Sequence, residues 1–394
     1  MSLEKNSLVQ AYLATVTSHI RSREVHAQVK TELLSHAEEI VLELKNEGVA
    51  EQDAVSAALH RLGGADELGR QLQQTHQPQK NWPLVVAVAC LSSFGMLIMY
   101  WIETSGSVIF VQNLLAKNSI YTCLGSVVLS GLYFVDFWQV RRYGLPLYGG
   151  TILLWMVAIL WGTPINASFF LVVGSLAINY TNITPYLLAV ALAGILANAD
   201  WSNHRFMLKM LGLFAIPLMI SAWSCDLSLL ITQAVLFLSL IILTGAGGKQ
   251  IAGLILLSMG MVAIFSMDQI FGGMMDVQSV ANPHTDHVLL YSMQKWGWPA
   301  GFMIFFTEIA FLLILARSTL QIKDSFARLT AGGISACFTV QFVGSMGMQL
   351  GLLPSGPMNL PFVSFGGSQT MIHLVAIGVV LSLYKHKNLM NFSD

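Results

Sequence analysis

The chain has 394 residues, of which 55% are hydrophobic and only 10% are charged. A soluble protein of this size usually carries about 25% charged residues, so the composition excludes a water-soluble globule. The net charge of −1 argues neither for nor against nucleic acid, and no nucleic-acid partner is expected. Residues 1–80 hold 8 of the 20 Lys and Arg and 11 of the 21 Asp and Glu. We therefore predict a soluble N-terminal segment followed by a segment embedded in lipid.

The soluble segment, residues 6–75, is predicted to form three or four short helices. From Val25 to Leu44, apolar residues recur at steps of three and four, which is the spacing of one helix face. Gly48 is a typical helix end. The expected divisions of the chain are a helical domain at 1–75, a linker at 76–82 and a membrane domain at 83–388.

The run ELLSHAEEIVLELKNEGVAEQDAVSAALHRLGGADELGRQL in this segment resembles the small cytoplasmic helical prefix found before permease-like domains in Gram-positive bacteria. That resemblance implies an interaction or regulatory module, and the alternative is a folded cap without a dedicated partner. No apolar run follows the first basic residues, so we expect no cleavable signal peptide.

The cysteines lie in separate apolar stretches, and none has CxxC spacing. This pattern favours four buried small residues over a disulfide framework or a metal site. The four are Cys90, Cys123, Cys225 and Cys337.

Ten apolar stretches are long enough to span a bilayer, which takes roughly 20 helical residues. The fold class that we predict is therefore all-α, a polytopic membrane protein of about ten helices behind a small helical domain. The short apolar stretch at 167–178 is expected to be a re-entrant or interfacial piece, with an eleventh span as the alternative. The ten predicted spans are 83–102, 119–138, 146–162, 183–200, 207–224, 227–245, 250–270, 298–316, 329–350 and 362–384.

Basic residues gather in alternate loops, as the positive-inside rule requires of a cytoplasmic N-terminus. The outer loops then hold only Lys117 and Lys295, and an even number of spans places both termini in the cytoplasm. The predicted outer loops also hold four acids, and the longest of these loops, at about 271–297, is where we expect chemistry. The inner basic residues are Arg141, Arg142, Arg205, Lys209, Lys249, Arg317, Lys323, Arg328, Lys385 and Lys387, and the outer acids are Asp226, Asp268, Asp276 and Asp286.

The segment GLLPSGPMNLPFVSFGGS combines three prolines with paired glycines, which forbid a regular helix and permit tight turns. Non-helical backbone at membrane depth survives only where it is buried in protein or lines a cavity. We therefore expect this segment to shape a cavity mouth at the outer end of the last helix, whereas a plain turn between two spans is the alternative.

LPFVSFGGS closely resembles the signature of the SEDS family (shape, elongation, division and sporulation), which includes the RodA, FtsW and SpoVE types. Upstream, HTDHVLL is similar to the family's His-Thr-Asp motif in the large outer loop, and SCDLSLL weakly matches its Asp-Leu-Gly-Thr motif. The resemblance implies a peptidoglycan glycosyltransferase in the cytoplasmic membrane of a bacterium. Such an enzyme polymerises lipid II, a lipid-linked disaccharide-peptide, beside a transpeptidase of the penicillin-binding type.

The acid that matches the His-Thr-Asp motif is Asp286, which would act as general base on the acceptor hydroxyl. The departing pyrophosphate needs a positive charge or a metal to stabilise it. A divalent cation is therefore a possible cofactor, and the resemblance assigns no ligands to it. The residues assigned to substrate binding are His284, Thr285, Lys295, Pro361, Ser364, Gly366, Gly367 and Ser368.

Other acids have competing interpretations. Asp226 is expected to cap the following helix. Glu308 lies inside a predicted span and is either a functional acid or a neutral hydrogen-bonded one. Asp136 is expected to meet Arg141 or Arg142.

Several family features are missing, because Gln294-Lys295 stands where the family has an acidic pair and YTNITPYLL stands where it has Gln-Pro-Ser-Glu. The sequence therefore leaves open a divergent polymerase and a non-catalytic scaffold or lipid II-binding partner of a synthase. A flippase is disfavoured because Glu308 has no basic partner at its depth.

Overall fold

The computed structural model describes residues 3, 6–19, 26–75, 79–104, 113–135, 137–165, 168–173, 176–224, 226–265, 288–353, 358–385 and 387. The chain forms two compact units, one built mainly from residues 1–79 and the other from Lys80–Lys387. Each unit has its own hydrophobic core.

The N-terminal unit contains four helices, which agrees with the predicted three or four. Its core is formed by the apolar stripes of these helices, including Val16, Val29 and Ala58, each at most 2% exposed. Gly48 and Gly63 have φ values of 88° and 97°, which is the left-handed conformation that ends helices. The helices are α1 (Ser7–His19), α2 (His26–Asn46), α3 (Glu51–Leu62) and α4 (Ala65–Thr75).

Ten described helices of the larger unit coincide with the ten predicted spans. Six of them are long and apolar enough to cross a membrane, whereas Tyr180–Leu196 and Leu227–Leu243 are shorter. The ten are α5 (Trp82–Thr104), α6 (Leu114–Phe134), α7 (Gly144–Trp161), α8 (Tyr180–Leu196), α9 (His204–Trp223), α10 (Leu227–Leu243), α11 (Gly248–Phe265), α13 (Trp298–Leu320), α14 (Ser325–Gln349) and α15 (Gly367–Lys385), with α12 (Val288–Trp296) outside this set.

Among helix starts, those of α6 and α15 differ most from the prediction. Helix α6 begins at Leu114 rather than 119, because Lys117 and Asn118 are tolerated in its first turns, where Glu103 accepts a hydrogen bond from the Leu115 amide. Helix α15 begins at Gly367 rather than 362. The five residues before it form turns instead of a helix.

The stretch between α7 and α8 forms a three-stranded antiparallel sheet, which the sequence did not predict. Its strands are too short to span a bilayer, so the described residues contain no eleventh span here. The Phe, Val and Ile residues of these strands favour extended structure. The strands are β1 (Thr163–Ile165), β2 (Ser168–Val173) and β3 (Leu176–Asn179), in the order β1-β2-β3.

The core of the larger unit lies along α8, α14 and α15, which are the most buried helices. Cys337 is buried there as predicted, and Cys225 lies outside the described residues. Cys90 and Cys123 are exposed, so the prediction that they are buried was wrong. A thiol can face lipid as readily as it faces protein. In a membrane protein, an apolar stretch therefore does not predict that its cysteine is buried inside the protein.

Candidate functional site

The Pro/Gly signature forms a buried turn before α15. Phe362 has φ 61°, which is rare for a bulky residue and costs about 1–3 kcal/mol of backbone strain. Its side chain is held by three rings, because it stacks on Phe338 at 5.8 Å and meets Phe311 and His373 edge-on at 5.5 and 5.4 Å. Aromatic packing therefore fixes this turn in an unfavourable backbone conformation.

Two glycines allow neighbouring helices to approach this turn closely. A Cβ at Gly95 of α5 would collide with the carbonyl oxygen of Phe362, and a Cβ at Gly367 would collide with the ring of Tyr121 in α6. Only glycine fits either position without movement of its neighbour.

A hydrogen-bonded network joins this turn to α8 and α15. The Gln369 Oε1 atom accepts a bond from Asn359 Nδ2 at 3.0 Å and a longer one from Asn182 Nδ2 at 3.4 Å. The Asn179 amide donates to Ser368 Oγ at 3.4 Å. Gln369 is 6% exposed, so this network lies inside the bundle and ties three segments together.

A small, partly open cavity of about 20 Å³ lies beside the network. The cavity lies toward the end of the bundle where α8 and α10 begin and α14 ends. This is the end that the positive-inside rule predicts to face outward. The lining residues are Asn182, Pro185, Asp226, Ser228, Leu229, Thr232, Gln341 and Met358.

Asp226 is the charged residue among those lining this cavity. Its Oδ1 accepts bonds from the Leu229 amide at 2.9 Å and the Ser228 hydroxyl at 2.8 Å, which confirms its predicted role as a helix cap. Asp226 is 2% exposed, and burial raises the pKa of its carboxyl above the ordinary value, although the two hydrogen bonds oppose that shift. The cavity wall thus combines a buried acid with neutral polar groups.

The proposed base Asp286, together with His284 and Thr285, lies outside the described residues, as does Asp136. Lys295 is described and is exposed in the last turn of α12. The catalytic and binding roles of these residues remain predictions.

The signature residues have defined places. Pro361 and Ser364 are buried, and Ser364 Oγ accepts a bond from the Leu360 amide at 3.1 Å. Gly366 accepts a hydrogen bond from the Thr370 amide, and Gly367 begins α15. The Ser368 hydroxyl oxygen accepts a hydrogen bond from the Asn179 amide at the end of β3. These contacts shape the turn, and the predicted contact with substrate stays a prediction.

Glu308 is buried in α13 with no exposed surface. Neither of its carboxylate oxygens has a hydrogen-bond partner within the described part of the chain. Among these residues, moreover, no group of three or more His, Cys, Asp or Glu is placed to hold a metal ion.

The comparisons with known proteins agree with this architecture. The family model described as "Cell cycle protein" (FtsW/RodA/SpoVE) matches residues 269–389. A probable peptidoglycan glycosyltransferase FtsW of Nitrosomonas europaea is 24% identical over 79% of this chain and 94% of its own length. The C-terminal third of the chain thus matches the FtsW/RodA/SpoVE family. A probable FtsW of Geobacter metallireducens, 23% identical over 76% of this chain and 93% of its own, is a further relative.

Solved structures show the same fold. The rod shape determining protein RodA of Thermus thermophilus has a TM-score of 0.64 at 22% identity, and the alignment covers 79% of this chain and 98% of that one. A chain of a peptidoglycan synthase complex that coordinates polymerization and crosslinking has a TM-score of 0.67 at 21% identity. That alignment covers 80% of this chain and 99% of the other. The larger unit therefore has the multi-pass helical fold of these structures.

Three polar residues of this site were missed by sequence reasoning, namely Asn182, Gln341 and Gln369. Asn182 stands in YTNITPYLL, which differs from the family pattern and was noted only as a departure. Gln341 lies in an apolar helix, where an isolated amide is a signal comparable to an isolated charge.

Proposed function

We propose that this protein is a peptidoglycan glycosyltransferase that polymerises lipid II, with Asp286 as general base. The observation that carries the proposal is the match to named glycosyltransferases over nearly their whole length, combined with the RodA-type fold. The Pro/Gly turn and the polar cavity support it, because they form a wall of non-helical backbone and hydrogen-bonding groups within the bundle.

In the proposed reaction, a sugar hydroxyl of one lipid-linked glycan attacks the anomeric carbon of a second one. The bond from that carbon to the undecaprenyl pyrophosphate breaks as the new glycosidic bond forms. Asp286 takes the hydroxyl proton, and the pyrophosphate leaves with the bonding electrons. His284, Thr285 and Lys295 are the proposed binding groups, with Lys295 supplying positive charge to the leaving group.

The proposal does not assign a metal step to any residue. Chelation by EDTA followed by addition of Mg²⁺ is the direct test of a divalent cation. Loss of polymer on chelation and its restoration by Mg²⁺ would show that the reaction requires a divalent cation.

A transpeptidase of the penicillin-binding type is the proposed partner, and the structural similarity to a peptidoglycan synthase complex supports this choice. We also propose that both termini are cytoplasmic, so that Asp286 acts on the outer face. The loop charges of the sequence support this orientation.

A non-catalytic scaffold is the second candidate function. The replacement of the family's acidic pair by Gln294 and Lys295 favours it, because the local charge changes sign. A flippase is less favoured, since Glu308 is the clear deep acid of the described helices and is not in an ion pair.

The test is polymerisation of lipid II by the purified full-length chain, with and without its transpeptidase. Glycan strands are expected from the wild type, and Asp286→Ala is expected to abolish them while Asp276→Ala, in the same loop, retains them. Undiminished glycan synthesis by Asp286→Ala would reject the role of Asp286 as general base. If the wild type makes no glycan strands even with a verified transpeptidase partner, the scaffold function is favoured.

A further inference from the structure

We infer that a basic cluster at the end of the bundle where α13 and α15 end is a binding site for the headgroup of an anionic phospholipid. The cluster consists of Arg317, Lys323 and Lys387, which come from three separate segments of the chain. The positive-inside rule predicts that this end faces the cytoplasm, which assigns the lipid to the inner leaflet. The inference concerns lipid binding and does not rest on the proposed glycosyl transfer.

Hydrogen bonds hold the three cations of the cluster together. The Lys387 ammonium donates to Gln321 Oε1 at 2.9 Å and to the Tyr384 hydroxyl oxygen at 2.8 Å. The Lys323 amide donates to the Lys387 carbonyl oxygen at 3.3 Å. Arg317 lies four residues before Gln321, whose amide donates to the Arg317 carbonyl oxygen at 3.2 Å, so these two residues are neighbours on one face of the helix end.

The protein itself fixes the position of the Lys387 ammonium. The Tyr384 hydroxyl donates to Gln321 Oε1 at 2.6 Å, so the three polar groups form a closed set of hydrogen bonds. The ammonium also lies 4.5 Å from the centroid of the Tyr384 ring, within the range of a cation–π contact. Two of its three N–H donors are used, and the third is left for an anionic oxygen. A side chain that is already ordered loses less conformational entropy when a ligand binds.

The positive charge of the cluster is not neutralised by a described residue. None of the three cations is in an ion pair within the described part of the chain, and the groups that bond Lys387 are neutral. Asp324 is the neighbouring acid, but it is 2% exposed and its Oδ1 caps α14 by accepting a bond from the Ala327 amide at 2.7 Å. Three cations held together without an anion produce a local potential that attracts one.

The surface around Arg317 suits a lipid better than a soluble anion. Leu313 lies four residues before Arg317 and Leu320 lies three residues after it, and these leucines are 56% and 73% exposed. Residues at this spacing share a helix face, so Arg317 lies within an exposed apolar strip of α13. A phospholipid satisfies both parts of this surface, because its phosphate meets the cations while its acyl chains lie along the leucines.

The cluster also lies at the depth of the membrane–water interface. Asn81 Nδ2 donates to Ser318 Oγ at 2.6 Å, which places the beginning of α5 beside the end of α13. Trp82, the first residue of α5, is 62% exposed, and its ring centroid lies 5.9 Å from the Lys80 ammonium. An exposed Trp beside basic groups is typical of a helix end at the headgroup level. Basic pockets between helices at this depth bind anionic headgroups.

The experiment measures lipid binding directly. Full-length protein in detergent is titrated with phosphatidylglycerol and with phosphatidylcholine of the same acyl chains, and the bound lipid is counted by native mass spectrometry. Phosphatidylglycerol is expected to bind about tenfold or more tightly, because each basic residue beside an anionic headgroup contributes about fivefold.

Two triple variants with the same loss of charge locate the site. The first combines Arg317→Gln, Lys323→Gln and Lys387→Gln, and its affinity for phosphatidylglycerol is expected to fall to within about threefold of that for phosphatidylcholine. The matched control removes three exposed cations that are predicted to lie on the same side of the membrane, and it should keep the wild-type preference. The substitutions of the control are Arg142→Gln, Arg205→Gln and Lys209→Gln.

A third variant separates a positioned site from diffuse attraction to positive charge. Gln321→Ala keeps every cation but removes the acceptor that holds the Lys387 ammonium. It is expected to weaken binding of phosphatidylglycerol about two- to tenfold and to leave phosphatidylcholine unchanged. Gln139→Ala, at an exposed position on the same predicted side, is its control and should change neither affinity. The unfolding midpoint of each variant, measured in detergent alone, checks that it is folded.

Three results would overturn the inference. The first is equal affinity of the wild type for the two lipids, and the second is an equal loss of preference in both triple variants. The third is unchanged binding by Gln321→Ala, which would show that the charge attracts lipid without a positioned site. Soluble glycerol phosphate is added as a competitor, and displacement of phosphatidylglycerol by an equal concentration of it would assign the cluster to a soluble anion instead of a lipid.

Discussion

Asp226 caps the N-terminus of α10 and places a buried carboxyl in the wall of the cavity. Its capping bonds stabilise the charged form, but desolvation outweighs them, and the pKa is raised. The same side chain therefore caps a helix and places a buried acid in the cavity wall.

This balance predicts a pH dependence of stability. Because the folded carboxyl has the higher pKa, the folded state binds the proton more tightly than the unfolded chain. The stability contributed by this group is full below the ordinary value of 3.8 and is lost as the pH rises through the raised folded pKa. Asp226→Asn, which keeps a capping side chain, should remove this component from the thermal unfolding midpoints measured across pH.

Asp226→Ala separates the cap from the charge. Loss of an N-cap costs about 0.5–2 kcal/mol, so this variant should be less stable than Asp226→Asn at neutral pH. Equal midpoints for the two variants would show that the capping bonds are not important.

Individual residues were predictable where their role is local. The cap at Asp226 follows from its position before an apolar helix, and Gly48 follows from the end of a periodic stretch. The place of Gln341 in the cavity was not predictable, because the other lining residues come from α8, α10 and the turn at Met358, which are far apart in sequence.

At the scale of elements, the turn before α15 is the unusual feature. The sequence predicted non-helical backbone from its prolines and glycines, but it extended the last helix back to residue 362. The helix begins later than predicted because Phe362 has a left-handed φ that no α-helix allows. Its three aromatic contacts hold the ring in the position that this backbone gives it. Apolar character alone cannot distinguish these two conformations.

The close approach of α5 to this turn gives a second prediction. Gly95→Ala would place a methyl against a backbone carbonyl, which cannot rotate away, and should destabilise the protein by about 1–3 kcal/mol. Gly131→Ala is the matched control, since a Cβ there meets nothing within 4 Å and alanine favours a helix.

Thermal unfolding in detergent compares these two glycine variants. A lower midpoint is expected for Gly95→Ala, with an unchanged or slightly raised midpoint for Gly131→Ala. Equal midpoints would contradict the close packing of α5 on Phe362.

At the scale of the whole molecule, ten helices were predictable because each apolar stretch is long enough to be recognised by itself. The sheet between α7 and α8 was not, since its short apolar strands resemble a broken helix until their pairing is known. The predicted base Asp286, with His284 and Thr285, lies in the long loop outside the described residues.

The N-terminal unit should fold by itself, because its core is complete within residues 1–79. An isolated 1–79 fragment is expected to show helical circular dichroism and a cooperative thermal transition. Val16→Asp places a charge at a position that is 0% exposed and should abolish the transition, whereas Leu8→Asp, at 55% exposure in the same helix, should leave it. A non-cooperative fragment would contradict an independent core.

We propose that glycosyl transfer occurs on the membrane face opposite the N-terminal unit and depends on Asp286. Proteoliposomes of defined orientation, containing the full chain and its transpeptidase, would receive lipid II on one face at a time, with glycan strands as the readout. We predict strands only when lipid II is on the face opposite the N-terminal unit, and none from Asp286→Ala. Strands made on the same face as that unit, or made equally by Asp286→Ala, would contradict the account.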